Sequence, residues 1–238
     1  MIEPLLPTDV RGKERVDDRR VLNGIFWRLR TGAPWADIPA RYGPYTTCGN
    51  RFRRWRKRGI WDRLLDAVSK AYNGDLQMVD ATSVRVHQHV ACAKKEGGSG
   101  GMGRSRRGLT SKIHALVDAE GRPVALKITE GQAHDGRSAA DMLGGLGAGK
   151  ILRGDRAYDS DALRTRMAEQ GAWANVTPMP DRKQVLAFSP FLYKCRNLVE
   201  RFFSKIKHFR AIAARYDKDP DSFLASVKLA ALRIWLRA

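Results

Sequence analysis

The stretch LQMVDATSVRV, residues 76–86, decides the fold. It is rich in β-branched residues and alternates enough to read as a strand. Asp80 sits inside it. A carboxylate within a strand of a basic chain costs stability unless it has a partner or a task. The plain alternative is an aspartate at a strand end, bonded to backbone or to an arginine.

Working outward, SKIHALVDAEGRPVALKITEG (111–131) reads as a β-hairpin turning at Glu120–Gly121, with Pro123 nearby. AHDGRSAADMLGGL (133–146) gives a short helix, and KILRGDRAY (150–158) a strand that ends in Asp155. DSDALRTRMAEQG (159–171) is a helix capped by Asp159 or Ser160 and closed at Gly171. WANVTP follows as a short strand, and a proline-rich loop leads to a long helix from Tyr193 to Lys207. A last helix, roughly 221–236, turns Phe223, Leu224, Val227, Ala231 and Ile234 inward. A strand, a hairpin and then alternating helices and strands make a mixed α/β sheet of the ribonuclease H-like kind. In that sheet Asp80 lies on the central strand and Asp155 at the end of its neighbour. Glu200 arrives on a helix packed over the same edge, so three carboxylates converge.

Within YKCRNLVERFFSKIK, Tyr193, Arg196, Glu200 and Lys207 fall on one stripe of a helix. Leu198, Phe202, Ile206 and Phe209 fall on an apolar stripe. An intrahelical ion pair is the bland reading of a lone Glu there. Three acids brought together repel one another, and a divalent cation removes that cost. Hard oxygen ligands suit Mg²⁺, with Mn²⁺ as a substitute. Two such ions, roughly 3.5–4 Å apart, activate a water or a 3′-hydroxyl against a phosphodiester. Asp80 then bridges both, Asp155 holds one, and Glu200 holds the other or orients the nucleophile. Arg196 and Lys207 are placed to hold DNA backbone or a terminal base, and Tyr193 to stack. His87, His89 and Cys92 make an incomplete zinc set without a fourth ligand. His114 alternates with apolar neighbours and reads as structural, and Asp135 as a helix cap.

The 238 residues carry a formal charge of +19, an excess that attracts nucleic acid. Three scattered cysteines indicate a reducing compartment. No signal peptide or membrane-length apolar run is read. Before residue 75 the pattern is helical: Asp17 or Asp18 starts a helix that Gly32 stops. Thr46 or Thr47 caps a second, and Trp61 to about Tyr72 forms a third. Six of the eight residues 51–58 are Arg51, Arg53, Arg54, Arg56, Lys57 and Arg58. With Phe52 and Trp55 as anchors, this reads as a helix-turn-helix-like unit whose cations meet phosphates. A solvated helix bracing the next domain is the alternative. The expected division is a small all-α DNA-binding domain at 1–74 and the catalytic domain at 75–238. Residues 94–108, with six glycines, form a flexible basic loop. Its GxGxxG spacing is not a dinucleotide site, because RSRRG follows where an apolar helix should open.

At these residues the chain resembles the DDE transposases of bacterial insertion sequences. Tyr193, Arg196, Glu200 and Lys207 match that family's Y-(2)-R-(3)-E-(6)-K signature. VDATSVR around Asp80 and GDRAYDS around Asp155 look like its two Asp motifs, and PLLP, GAPWADIP and the basic helix like its N-terminal domain. PLLP comes almost at once, where members usually carry a lead-in helix, which points to a shortened copy. The resemblance implies Mg²⁺ dependence and cut-and-join chemistry on double-stranded DNA, at the inverted repeats and at a target. Asp80, Asp155 and Glu200 are then the catalytic acids. Tyr193, Arg196 and Lys207 contact the DNA end. It also implies action in the bacterial cytoplasm at the nucleoid, and at least a transient homodimer during synapsis. A structure-specific nuclease with the same acids is the rival enzyme, and a decayed, non-catalytic DNA binder the rival of another class.

Overall fold

The computed structural model describes residues 3–7, 16–70, 74–91, 100–105, 108–194 and 197–237. Three helices come first: α1 (Asp18–Thr31), α2 (Tyr45–Lys57) and α3 (Ile60–Ser69). Then follow β1 (Leu76–Val86), α4 (Gln88–Ala91), β2 (Gly103–Ser105), β3 (Gly108–Asp118) and β4 (Pro123–Glu130). After α5 (Asp135–Ala139) the chain alternates through β5 (Ile151–Gly154), α6 (Asp161–Glu169) and β6 (Trp173–Val176). It closes with α7 (Pro190–Lys194), α8 (Asn197–Lys207), α9 (Arg210–Ala213), β7 (Ala214–Arg215) and α10 (Pro220–Trp235).

β1 is the axis of the sheet. One edge pairs antiparallel with β3 from Gln77 to Arg85, and β3 pairs in turn with β4 and β2. The other edge is shared by two parallel strands, β5 beside residues 76–78 and β7 beside residues 85–86. β6 lies outside β5. Meander on one side and parallel strands on the other give the expected mixed sheet. The faces follow the two-residue period of a strand. Met78 and Val84 join a core with Val199, Phe202, Phe203 and Ile206 of α8. Val79 joins the opposite core with Leu152, Leu163 and Met167.

α10 is buried on two sides. Phe223, Val227 and Ala231 pack on the sheet core. Ala225, Leu229 and Leu232 pack among Val21, Ile25, Phe52, Trp61 and Leu64 of the N-terminal helices. The N-terminal core is therefore completed by the last helix of the chain, which no local reading of residues 18–69 could reveal. Leu224 and Ile234, expected inside, are only partly buried.

Several local expectations change. Asp17 caps α1 through Arg19 and Arg20 N–H groups, and Gly32 ends it at φ 73°. α2, however, starts after Pro44 with no side-chain cap, not at Thr46 or Thr47. α3 ends at Ser69, and Tyr72 lies outside the described residues. Within the expected Gly-rich loop, Gly103–Ser105 form a strand on β3. The carbonyls of Gly100 and Gly101 accept from the buried Arg215 at 2.8 and 3.1 Å. Residues 92–99 and 106–107, the rest of that loop, are not among those described. Asp135 begins α5 behind His134 and bonds Lys112 Nζ at 2.8 Å, so it serves as an ion-pair partner. The helix expected from Tyr193 to Lys207 is two described segments, α7 and α8, with residues 195–196 outside the description.

His114 is fully buried, with Nε2 2.7 Å from Thr129 Oγ1. Its structural role agrees with its strand position. Burial lowers its pKa to about 4 from the ordinary 6.5. A base with a depressed folded pKa binds fewer protons folded than unfolded, so stability falls as pH drops from 6.5 to about 4. The expected loss is roughly 3 kcal/mol. Denaturant unfolding of wild type and His114→Gln at pH 7 and pH 4 checks it, because only the wild type should show this extra loss. Leu229→Ala should cost about 3 kcal/mol and should loosen amide protection in α1 and α3 as well as α10. Loss confined to α10 would mean that the N-terminal helices stand alone.

Candidate active site

β1 and β5 run parallel in a register that pairs Leu76 with Ile151, Gln77 with Leu152 and Met78 with Arg153. Two residues further along the chain from that last pair come Asp80, within β1, and Asp155, just past the end of β5. Neighbouring strands lie about 4.8 Å apart, so the two backbones come side by side where the parallel strands end, the usual location of an α/β site. Asp80 shares the face of Met78 and Val84, the face α8 covers. Arg153, the partner of Met78, puts Asp155 on that face as well.

Each aspartate is also tied to its own backbone. Asp80 Oδ1 accepts from the Ala81 N–H at 2.8 Å. Asp155 Oδ1 accepts from the Ala157 N–H at 2.9 Å and caps the 3₁₀ turn Arg156–Tyr158. This turn takes the chain out of β5, so the β1 edge beyond Met78 has no ladder partner until β7 among the described residues. The site lies in that gap between two strands.

α8 brings the third acid. Its start touches the hairpin turn, because a Cβ on Gly121 would meet the Leu198 carbonyl at 2.9 Å. Its end reaches Thr82, where Lys207 Nζ donates to Oγ1 at 2.6 Å. The hairpin turn follows Asp118, which pairs with Gln77. The helix therefore runs along β1 in the same sense, from the level of Gln77 to that of Thr82. Glu200, two turns before Lys207, lies on the same flank of α8. Glu200 is exposed and Lys207 half-buried. Burial holds the Lys207 ammonium below the usual lysine range.

Asp80 and Asp155 thus follow the paired stretch of two adjacent strands, and Glu200 rides on the helix that covers β1. Among the described residues no three His, Cys, Asp or Glu side chains are grouped to hold one cation. The expected closed nest of three ligands is not what these side chains form. Carboxylate oxygens are the donors a divalent cation takes, though as placed these three do not surround one point. His87 and His89 form no metal group either: their rings stack 4.9 Å apart, and His87 stacks on Tyr216 at 4.6 Å. Cys92 lies outside the described residues.

Tyr193 sits on α7, and its placement begins at Asn175. That buried side chain accepts from the Ser189 N–H at 2.8 Å and donates to the Ser189 carbonyl at 3.2 Å. α7 is held against β5 and β6. Arg196 is not among the described residues. Sequence reasoning missed Arg153, which is 4% exposed and two residues before Asp155. Its Nε and Nη1 have no partner among the described residues. A buried guanidinium is costly unless it serves an anion, and in ILRGD nothing but its period-two relation to Asp155 could have signalled it. Asp159, in the same segment, is a structural hub and leaves the cap of α6 to Ser160. Burial opposes its charge. Hydrogen bonds from Arg182, the Met179 N–H and Arg164 outweigh that and hold its carboxyl below the usual range.

The basic helix divides in the same way. Arg51 is 5% exposed, and its Nη1 bonds Asp18 Oδ1 at 2.5 Å and the Val16 carbonyl at 2.7 Å. It braces α1 and is not offered to phosphate, a correction to its expected role. Arg56 is likewise committed, to Asp219 and to Ser222 Oγ, tying α2 to the start of α10. Arg53, Arg54, Lys57 and Arg58 are exposed. With Asn50, the first three line a hollow of about 480 Å³.

Comparison with known proteins identifies the family. Residues 73–235 match a family model described as a transposase DDE domain, and residues 1–65 one described as a transposase of the IS4/5 family. A Brucella ovis protein named as a transposase for insertion sequence element IS6501 is 41% identical over 131 residues, covering 54% of this chain and 100% of that one. A Burkholderia cepacia protein named as a transposase for insertion sequence element IS402 is 28% identical over 137 residues, covering 53% and 62%. Among solved structures, a piggyBac transposase synaptic complex with hairpin DNA aligns with TM-score 0.58 at 9% identity, over 97% of this chain and 68% of that one. That likeness is one of fold. The chain belongs to the DDE transposase family of bacterial insertion sequences, metal-dependent enzymes that cleave DNA and transfer its strands.

Proposed function

We propose that Asp80, Asp155 and Glu200 are the catalytic acids and hold Mg²⁺, with Mn²⁺ as a substitute, against the ends of an insertion sequence. The observation that supports this reading is the β1–β5 register, which brings the strands leading to Asp80 and Asp155 side by side on the sheet that the helix bearing Glu200 covers. Bound there, the cations lower the pKa of the attacking hydroxyl and stabilise the leaving oxygen. The chain's own residues supply position. Thr82 fixes the Lys207 ammonium over β1, where it faces a phosphodiester laid along the acid edge. Asn175 holds α7 so that Tyr193 presents its ring beside the same edge, a surface on which a terminal base stacks. Arg196, between them in sequence, completes the contact with the DNA end.

In this reading residues 1–74 engage the terminal repeats and residues 75–238 carry the chemistry. Arg53, Arg54, Lys57 and Arg58 meet phosphates, since exposed cations give affinity without sequence choice. Joining two ends requires two copies in one synaptic complex, acting on the bacterial nucleoid. No described helix is long and apolar enough to cross a membrane.

Wild type incubated with a duplex carrying the terminal repeat and Mg²⁺ should nick the 3′ ends and join them to a target, and Asp80→Asn should do neither. Nicking without joining means a nuclease. Binding with no cleavage by either protein means a non-catalytic binder. Mg²⁺ should also raise the wild-type Tm and leave that of Asp80→Asn unchanged. A second contrast tests the basic helix. Arg54→Ala should keep Tm and flatten the salt slope of duplex binding by about one unit. Arg51→Ala should cost roughly 3 kcal/mol of stability, because it strands a half-buried Asp18. The reverse pattern would overturn the assignment.

A further inference from the structure

On the far flank of α8 from Glu200 lies a second basic feature, a cavity of about 630 Å³. Arg30 reaches it from the end of α1, Lys205 from α8, and Arg233 and Arg237 from the end of α10. Glu120 and Arg122 wall it from the β3–β4 turn. Glu120 is already spent on Arg122, at 2.6 Å. None of Arg30, Lys205, Arg233 and Arg237 has an acidic partner among the described residues. These cations also weaken one another: burial, then Arg237 and Arg30, lower the pKa of Arg233. Arg51 and Arg215, both buried, are turned to a carboxylate or to carbonyls. Here four cations, three of them exposed, stand together around an opening.

We propose that this cavity binds the phosphate backbone of the DNA duplex beyond the reacting end. Charge complementarity and position both point to it. Lys205 is five residues from Glu200, which turns the two to opposite flanks of α8. A helix with its side chains is about 10–12 Å across, close to the roughly 12 Å width of the DNA major groove. A duplex lying across α8 with one backbone at the acids brings its next backbone strand to the cavity. Arg201 and Ser204, both exposed, lie on the ridge between. The proposal rests on the transposase reading for the direction in which the duplex lies.

Lys205 and Arg237 are exposed, so Lys205→Ala/Arg237→Ala should fold as wild type. Binding is read by fluorescence anisotropy on a labelled mixed-sequence duplex without metal, across a salt series. The double variant should flatten the log–log salt slope by about two units, since each lost phosphate contact removes about 0.9. The charge-conserving Lys205→Arg/Arg237→Lys should restore it, and Arg137→Ala, on the opposite layer, should leave it unchanged. If wild type holds the duplex and the double variant keeps its slope, the cavity assignment falls while the transposase reading stands. If wild type does not hold the duplex at all, both fall. Binding of polyglutamate that the double variant loses, with duplex binding intact, would make the site one for an acidic protein and overturn the proposal.

Discussion

Parallel pairing between β1 and β5 is the contact on which the candidate site depends. It spans three residues on each strand, yet it fixes the relative height of Asp80 and Asp155, which 75 positions separate in sequence. A slip of one residue would turn either carboxylate to the other face, toward Leu152 and Met167. The register is protected because both faces are buried. Met78 and Val79 are each fully buried, on opposite sides, so β1 has no inexpensive alternative alignment. The short length of the pairing is also functional. Longer pairing would carry β5 past Asp155 and close the gap into which both acids open.

The second constraint is α10. By lying between the N-terminal helices and the sheet, it makes the position of the basic helix a consequence of the catalytic core. Arg56 with Asp219 before the start of α10, and Asp62 with Lys228 at its middle, reinforce the joint. These half-exposed pairs add little energy. The apolar contacts of Leu229, Leu232 and Trp61 carry the stability, and the ion pairs set the orientation. A DNA-binding surface on α2 and an acid edge on β1 are in this way held by one rigid element.

Much of this was legible in the residues. The alternation in LQMVDATSVRV marks β1 from its first residue to its last, and the hairpin turn at Gly121 was readable because φ 77° there suits glycine. Ser160, Asp17 and Gly32 acted as caps where side-chain chemistry foretold it. The apolar stripe of α8 was half legible. Phe202 and Ile206 are buried as their spacing indicates, but Val199 and Phe203 replace Leu198 and Phe209, because the sheet and α10 cover a wider arc than one helical stripe. What stayed hidden depends on partners far along the chain. Arg51 cannot be told from Arg54 without Asp18 beside it, nor Arg56 without Asp219. Asp159 and Asp155 share a motif, and only the arginines from residues 164 and 182 make one a hub.

The same reasoning limits what a net charge of +19 means. Formal charge counts every arginine alike, but the fold assigns them to different work. Arg215 is wholly buried and spends its N–H groups on the carbonyls of Gly100, Gly101, Asp217 and Lys218 and on Ser111. Arg164 and Arg182 neutralise Asp159, and Arg122 neutralises Asp118 and Glu120. Such cations contribute to pI and less to the field that an approaching duplex meets, because Arg215 is withdrawn from the surface and the others stand against carboxylates. Among the described residues, the outer face of α2 and the four cations behind α8, which have no acidic partner, are part of what remains to attract a polyanion. A charge total predicts a polyanionic partner only through the part that folding leaves unpaired, and two of the places where that part gathers are the outer face of α2 and the cavity behind α8.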